Sequence, residues 1–138
     1  MKEWEGATLP QLYLSPAWTE ELKSRISALP AARTGNVTAS LSLRHMRAPG
    51  GGEKYLYLAF QNGALVRAES GMGAGPGAEF AISGDYAVFA DVLSGKLDAG
   101  RALSGGKLRL HGNLFRAMGL TPLVEAVISA AQGIPTAF

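Results

Sequence analysis

From Ser15 onward the apolar residues return at helical spacing, with Trp18, Leu22, Ile26 and Leu29 making one stripe. Ser15 suits an N-cap and Pro16 the first helical position. Glu20 and Glu21 lie near the helix start, where negative charge suits the dipole. Pro30 closes the segment, so the pattern predicts an amphipathic helix over 16–29. After Gly35 the period changes to two. In Val37-Thr38-Ala39-Ser40-Leu41-Ser42-Leu43-Arg44 the apolar members face a core, and Thr38, Ser40, Ser42 and Arg44 face water. Pro49-Gly50-Gly51-Gly52 makes a flexible reversal. A second strand from Lys54 to Phe60 is large on both faces through Tyr55, Leu56, Tyr57 and Leu58, so it belongs inside a sheet. Asn62-Gly63 is the strongest short hairpin signal, and it leads into a third strand from Ala64 to Glu69.

The glycine-rich stretch Gly71 to Gly77 reads as a loop, and Ala78 to Ser83 as a fourth strand with Phe80 and Ile82 on one face. Asp85 is placed to cap a helix that runs through Leu93, carries Tyr86, Phe89 and Val92, and ends at Gly95. A short helical turn covers Ala99 to Leu103. Lys107 to His111 alternates as a fifth strand, Leu108 and Leu110 sharing a face. Asn113 caps a helical piece with Leu114, Phe115 and Met118. Thr121-Pro122 then reads as N-cap and first position of another, with Leu123, Val124, Val127, Ile128 and Ala131 before Gly133. There is no internal repeat and no linker. This order predicts a single α+β domain over 1–138, a sheet with helices on one face.

Composition narrows the function more than the fold. With 47% hydrophobic and 17% charged residues, disorder is not the general state. No apolar run approaches the ~18 residues that span a bilayer, and MKEWEGATLPQ lacks the basic stretch and apolar core of a secretory signal. A soluble, cytoplasmic protein is expected. The absence of cysteine excludes disulfides, thiolate nucleophiles and iron–sulfur clusters. A net charge of +2 is too small for a nucleic-acid footprint, so no nucleic-acid partner is expected. The distribution says more: Lys96, Arg101, Lys107, Arg109 and Arg116 stand against Asp98 alone. Two readings stay open, a solvated face or a patch that meets anionic headgroups or a ligand carboxylate.

Candidate chemistry is sparse. GMGAGPG is not followed by Gly-Lys-Ser/Thr and leads into a strand, so it fails as a phosphate loop. His45 and His111 have no metal-like spacing to another ligand, and no Gly-x-Ser-x-Gly elbow occurs. Both histidines read as ordinary surface or sheet-end residues. No catalytic residue, metal or cofactor is expected. Asn36-Val37-Thr38 matches a glycosylation acceptor, but without a secretory signal it is read as chance. The last helices are different. Leu114, Phe115, Met118, Leu123, Val127 and Ile128 are more than a short terminal segment needs. Core packing competes here with the lining of a cavity, where a flexible Met suits ligands of variable shape.

The run AEFAISGDYAVFADVLSGKLDAGRALSGGKLRLHGNLFRAMGLTPL resembles the lipid-binding domain of the sterol carrier protein 2 family. A capped helix ends in Leu93-Ser94-Gly95-Lys96-Leu97, and a strand opens on Gly106-Lys107-Leu108 and ends at Gly112-Asn113, where the family often has Gly-Asp. The N-terminal helix and the meander agree in order and length. The last residues, Pro135-Thr136-Ala137-Phe138, are not the peroxisomal tripeptide of some relatives. The resemblance implies a five-stranded mixed sheet covered on one face by helices, with an apolar tunnel between the layers. It implies noncovalent binding and transfer of a fatty acid, acyl-CoA, sterol or phospholipid by a protein that is not an enzyme. Phe89, Leu93, Leu103, Leu108 and Leu110 then join Leu114, Phe115, Met118, Leu123 and Val127 as candidate lipid contacts. The expected partners are a long-chain lipid, acyl-CoA or sterol, with transient contact at a membrane surface. Two alternatives stay open. One is an enzyme using the same pocket, or a domain presenting lipid to a partner enzyme. The other is an interaction module that dimerises through an apolar helix.

Overall fold

Ser15 takes the capping role its position suggests: its Oγ accepts the Trp18 backbone N–H at 3.2 Å, and helix α1 runs Pro16–Ser27. In this computed structural model, which describes residues 9–30 and 34–138, the stripe of Trp18, Leu22 and Ile26 is buried against the sheet. The expected dipole contribution of Glu20 and Glu21 is not made, because neither lies in the first turn. Glu21 instead pairs with Arg25 one turn on, at 2.8 Å.

Among the described residues there are seven strands: β1 Gln11–Leu12, β2 Ala39–Met46, β3 Lys54–Gln61, β4 Ala64–Met72, β5 Phe80–Asp85, β6 Leu108–His111 and β7 Thr136–Ala137. Five make one mixed sheet in the order β4-β3-β2-β5-β6, where β2 and β5 are parallel and the other pairings antiparallel. Further helices are α2 Tyr86–Leu93, α3 Ala99–Ser104, α4 Leu114–Met118 and α5 Thr121–Gln132. Alternation puts Leu41, Leu56, Leu58, Phe60, Phe80, Ile82 and Leu108 on the helix-covered face, all of them buried. The result is an α+β two-layer fold. Among the described residues no helix is long and apolar enough to cross a membrane.

Several local expectations need correction. Ser42 does not face water; it is 2% exposed, because on the outer face the register sets it between Tyr57 and Ala81. Tyr57 spreads over that face with the Arg67 guanidinium 5.0 Å from its ring centroid. Strand β4 continues through Gly71 and Met72, which the glycine-rich pattern assigns to a loop. Gly71 suits this because a Cβ there would stand 3.0 Å from the Tyr55 ring. Asp85 precedes α2 but makes no side-chain cap, since its carboxylate reaches Arg47 at 3.3 Å. Thr121 is the first residue of α5 rather than its cap, and its hydroxyl donates to the Met118 carbonyl at 3.0 Å. Nothing in the sequence pattern announces the β1–β7 pair. It ties the C-terminal residues to the entrance of α1, where the Trp18 indole donates to Thr136 Oγ1 at 3.0 Å.

Candidate functional site

Leu41, Phe80, Ile82 and Leu110 form the floor of an apolar cavity of about 340 Å³ between the sheet and the last helices. Its roof is built from Ala99 and Leu103 of α3 and from Val124 and Ile128 of α5, with Leu114, Ala117 and Met118 of α4 at one side. A smaller apolar hollow of about 70 Å³ adjoins it, sharing Leu41, Ile82, Ala99, Leu103, Val124 and Ile128. Phe89, Val92, Leu93, Leu108 and Val127 line that inner part. Among the described residues Glu125 is the one ionisable side chain on either wall. A volume of this size lies at the low end for small-molecule sites, and so apolar a lining suits a hydrocarbon better than a polar solute.

Short polar fixings hold the roof. Asp98 Oδ2 accepts the Arg101 N–H at 3.1 Å and so starts α3, while the Lys107 N–H donates to the Ala102 carbonyl at its end. Asn113 Oδ1 accepts from both Phe115 and Arg116, at 3.0 and 3.2 Å. The Arg116 guanidinium then forks onto Glu79 and reaches the Thr38 carbonyl, tying α4 to the sheet ends. No residue of α4 is fully buried, although Ala117 packs partly against the core. Three apolar side chains therefore stand in water: Leu114 and Met118 are each 67% exposed, and Phe115 is 88% exposed.

Of the residues singled out in the sequence, Leu103, Leu110, Leu114 and Met118 line the larger cavity. Phe89, Leu93, Leu108 and Val127 line the inner one, with Leu103 common to both. Two do not join them. Phe115 projects into solvent, and Leu123, 3% exposed, packs within the core. The floor residues Leu41, Phe80 and Ile82 and the small roof residues Ala99 and Ala117 were not singled out. Alternation marks the first three as inward-facing, but it carries no information on what stands opposite them.

Neither histidine lines these cavities. His45 is not a surface residue: it is fully buried near the end of β2, stacked on Phe89 with centroids 4.0 Å apart. Its Nδ1 lies 3.0 Å from the Leu43 carbonyl, which fixes the proton there, so Nε2 accepts from the Tyr13 hydroxyl at 2.7 Å. Burial lowers its pKa to about 4 and raises that of Tyr13. His111 meets Ser83 Oγ at 3.2 Å, but on the outer sheet face, exposed to solvent.

Residues 18–125 match the model of the SCP-2 sterol transfer family. The chain belongs to that family. Solved sterol carrier proteins share its fold. A crystal structure of sterol carrier protein 2 superposes with a TM-score of 0.77 at 22% identity, over 88% of this chain and 98% of the other. A protein from Thermus thermophilus, described as possibly a sterol carrier protein, gives 0.74 at 23% identity, covering 94% of each chain. Palmitated SCP2L2 from Aedes aegypti gives 0.58 at 18% identity, over 80% of this chain and 90% of the other. No curated protein sequence matches closely enough to count as a relative. Family and fold together support lipid binding and transfer in general.

Proposed function

We propose that this chain carries one long-chain lipid noncovalently, its hydrocarbon body held between β2, β5 and β6 and the roof of α3, α4 and α5. The observation that carries this reading is the apolar cavity bordered by the solvent-exposed Leu114 and Met118. Each buried CH₂ contributes roughly 0.8 kcal/mol. A chain of about sixteen carbons therefore offers on the order of 10 kcal/mol before the costs of association, and micromolar affinity needs about 8 kcal/mol. Apolar walls suffice, and no catalytic group is needed. That one solved relative is palmitated supports a fatty acid or acyl-CoA as the first ligand to try. The exposed turn of α4 is the surface that would touch a membrane while lipid passes, since Phe115 can enter an interface at little conformational cost.

Displacement of a fluorescent fatty acid from delipidated protein tests the reading. Long-chain fatty acid, acyl-CoA or sterol should compete in the micromolar range. If none binds below roughly 100 μM the proposal fails. Solution mass measured alongside separates a carrier from an interaction module, since a dimer that buries α4 would close the cavity from that side.

A further inference from the structure

Arg109 points from β6 to the face opposite Leu108 and Leu110, away from the apolar cavity, and Lys107 immediately precedes that strand. There they line a second groove of about 550 Å³ with Arg47, which follows β2, and with Ser83, Gly84 and Asp85 at the end of β5. The charges in it do not balance. Among the described residues Asp85 is its only carboxylate, and Arg47 already occupies it at 3.3 Å. Neither Lys107 nor Arg109 enters an ion pair among the described residues. Three cations thus face one carboxylate across one concavity.

Backbone geometry holds these groups in place. A Cβ on Gly84 would lie 2.7 Å from the Lys107 carbonyl and 2.6 Å from Leu108 Cδ2, so only glycine lets β6 close against β5 there. Arg47 adopts φ +50°, a left-handed conformation rare for a non-glycine residue, as it leaves β2 toward the groove. The Ser83 hydroxyl is engaged with His111 and faces the same side.

We propose that this groove binds a phosphate group. A phosphate carries close to two negative charges and several acceptor oxygens, which match two guanidinium groups and an ammonium better than a single carboxylate would. The phosphate belongs either to a phospholipid headgroup or to a water-soluble phosphate ester. The site shares no lining residue with the apolar cavity and does not depend on it.

Calorimetric titration of the full chain with inorganic pyrophosphate, at about 50 mM salt to keep screening weak, tests the site. Submillimolar binding is expected. The double variant Lys107→Gln with Arg109→Gln should weaken it by about tenfold or more. A second double variant, Lys96→Gln with Arg101→Gln, removes the same charge outside the groove and should change it by no more than about twofold. No binding below about 10 mM, or equal weakening by both doubles, overturns the proposal. Vesicles containing phosphatidic acid separate the two sources. If they bind and pyrophosphate releases them, the site takes a lipid headgroup; if they do not bind while pyrophosphate does, it takes a water-soluble ester. Fatty-acid displacement on the same variants reports separately on the apolar cavity, and both doubles should leave it unchanged.

Discussion

His45 shows how burial turns a titratable residue into a structural one. Its imidazole is neutral in the fold, held by Tyr13 and the Leu43 carbonyl, with a pKa near 4 against an ordinary 6.5. Between those values the unfolded chain takes up a proton that the folded chain does not. Stability from this group is therefore complete above pH 6.5 and falls as pH drops toward 4, by on the order of 3 kcal/mol. His45→Phe should be less stable than the parent at pH 7, because the Tyr13 hydroxyl loses its partner at a cost of about 1–3 kcal/mol. That deficit should shrink or reverse by pH 4.5. Urea unfolding at both pH values measures it, and an unchanged deficit would show that His45 does not titrate in this window. Part of this was legible beforehand. Alternation through Leu41 and Leu43 carries position 45 to the inner face, although a polar side chain argued for the surface. Tyr13 was not legible as its partner, since it lies 32 residues away in a segment without periodicity.

Among the elements, the β3–β4 hairpin and α4 give the clearest tests. Gly63 has φ +82°, and a Cβ there would stand 1.9 Å from the Gly35 carbonyl oxygen. Gly63→Ala should cost more than about 1 kcal/mol in a thermal or urea melt; a neutral result would mean that the turn has another accessible geometry. On α4 two neighbours should behave differently. Met118→Ala removes part of a cavity wall and should lower fatty-acid affinity several-fold. Phe115→Ser leaves the wall intact and should slow lipid uptake from vesicles at nearly constant equilibrium affinity. Both residues are largely exposed, so neither should shift the melt by more than about 0.5 kcal/mol. Equal effects on affinity and uptake would merge the two roles. Helix positions were partly readable from caps and prolines: Ser15 and Asn113 accept backbone N–H groups as their types suggest, whereas Asp85 and Thr121 do not act as caps. The β1–β7 pair escaped, because two-residue strands have no period to detect.

At the scale of the molecule, the sheet and its covered face follow from periodicity, but the boundary between core and cavity does not. Leu123 and Val124 are adjacent apolar residues on α5, yet the first packs in the core and the second lines the cavity. Both are apolar but point about 100° apart around the helix, and which direction meets packed side chains and which meets open space depends on how α3 and α4 are placed. The central pairing of β2 with β5 has a further consequence, for the order in which the molecule assembles. Strands β2, β3 and β4 join through short reversals, whereas β5 can lie beside β2 only after the intervening meander is in place or its loop has been closed at an entropic cost. The meander is thus expected to form the folding nucleus, with β5, β6 and the roof condensing onto it later. Stopped-flow kinetics should then find that Gly63→Ala mainly slows folding, while Gly84→Ala, at the late-forming β5–β6 contact, mainly speeds unfolding. On this order, the half of the chain that encloses the apolar cavity is also the first to come loose, so exchange of a bound hydrocarbon can proceed through partial opening without loss of the meander.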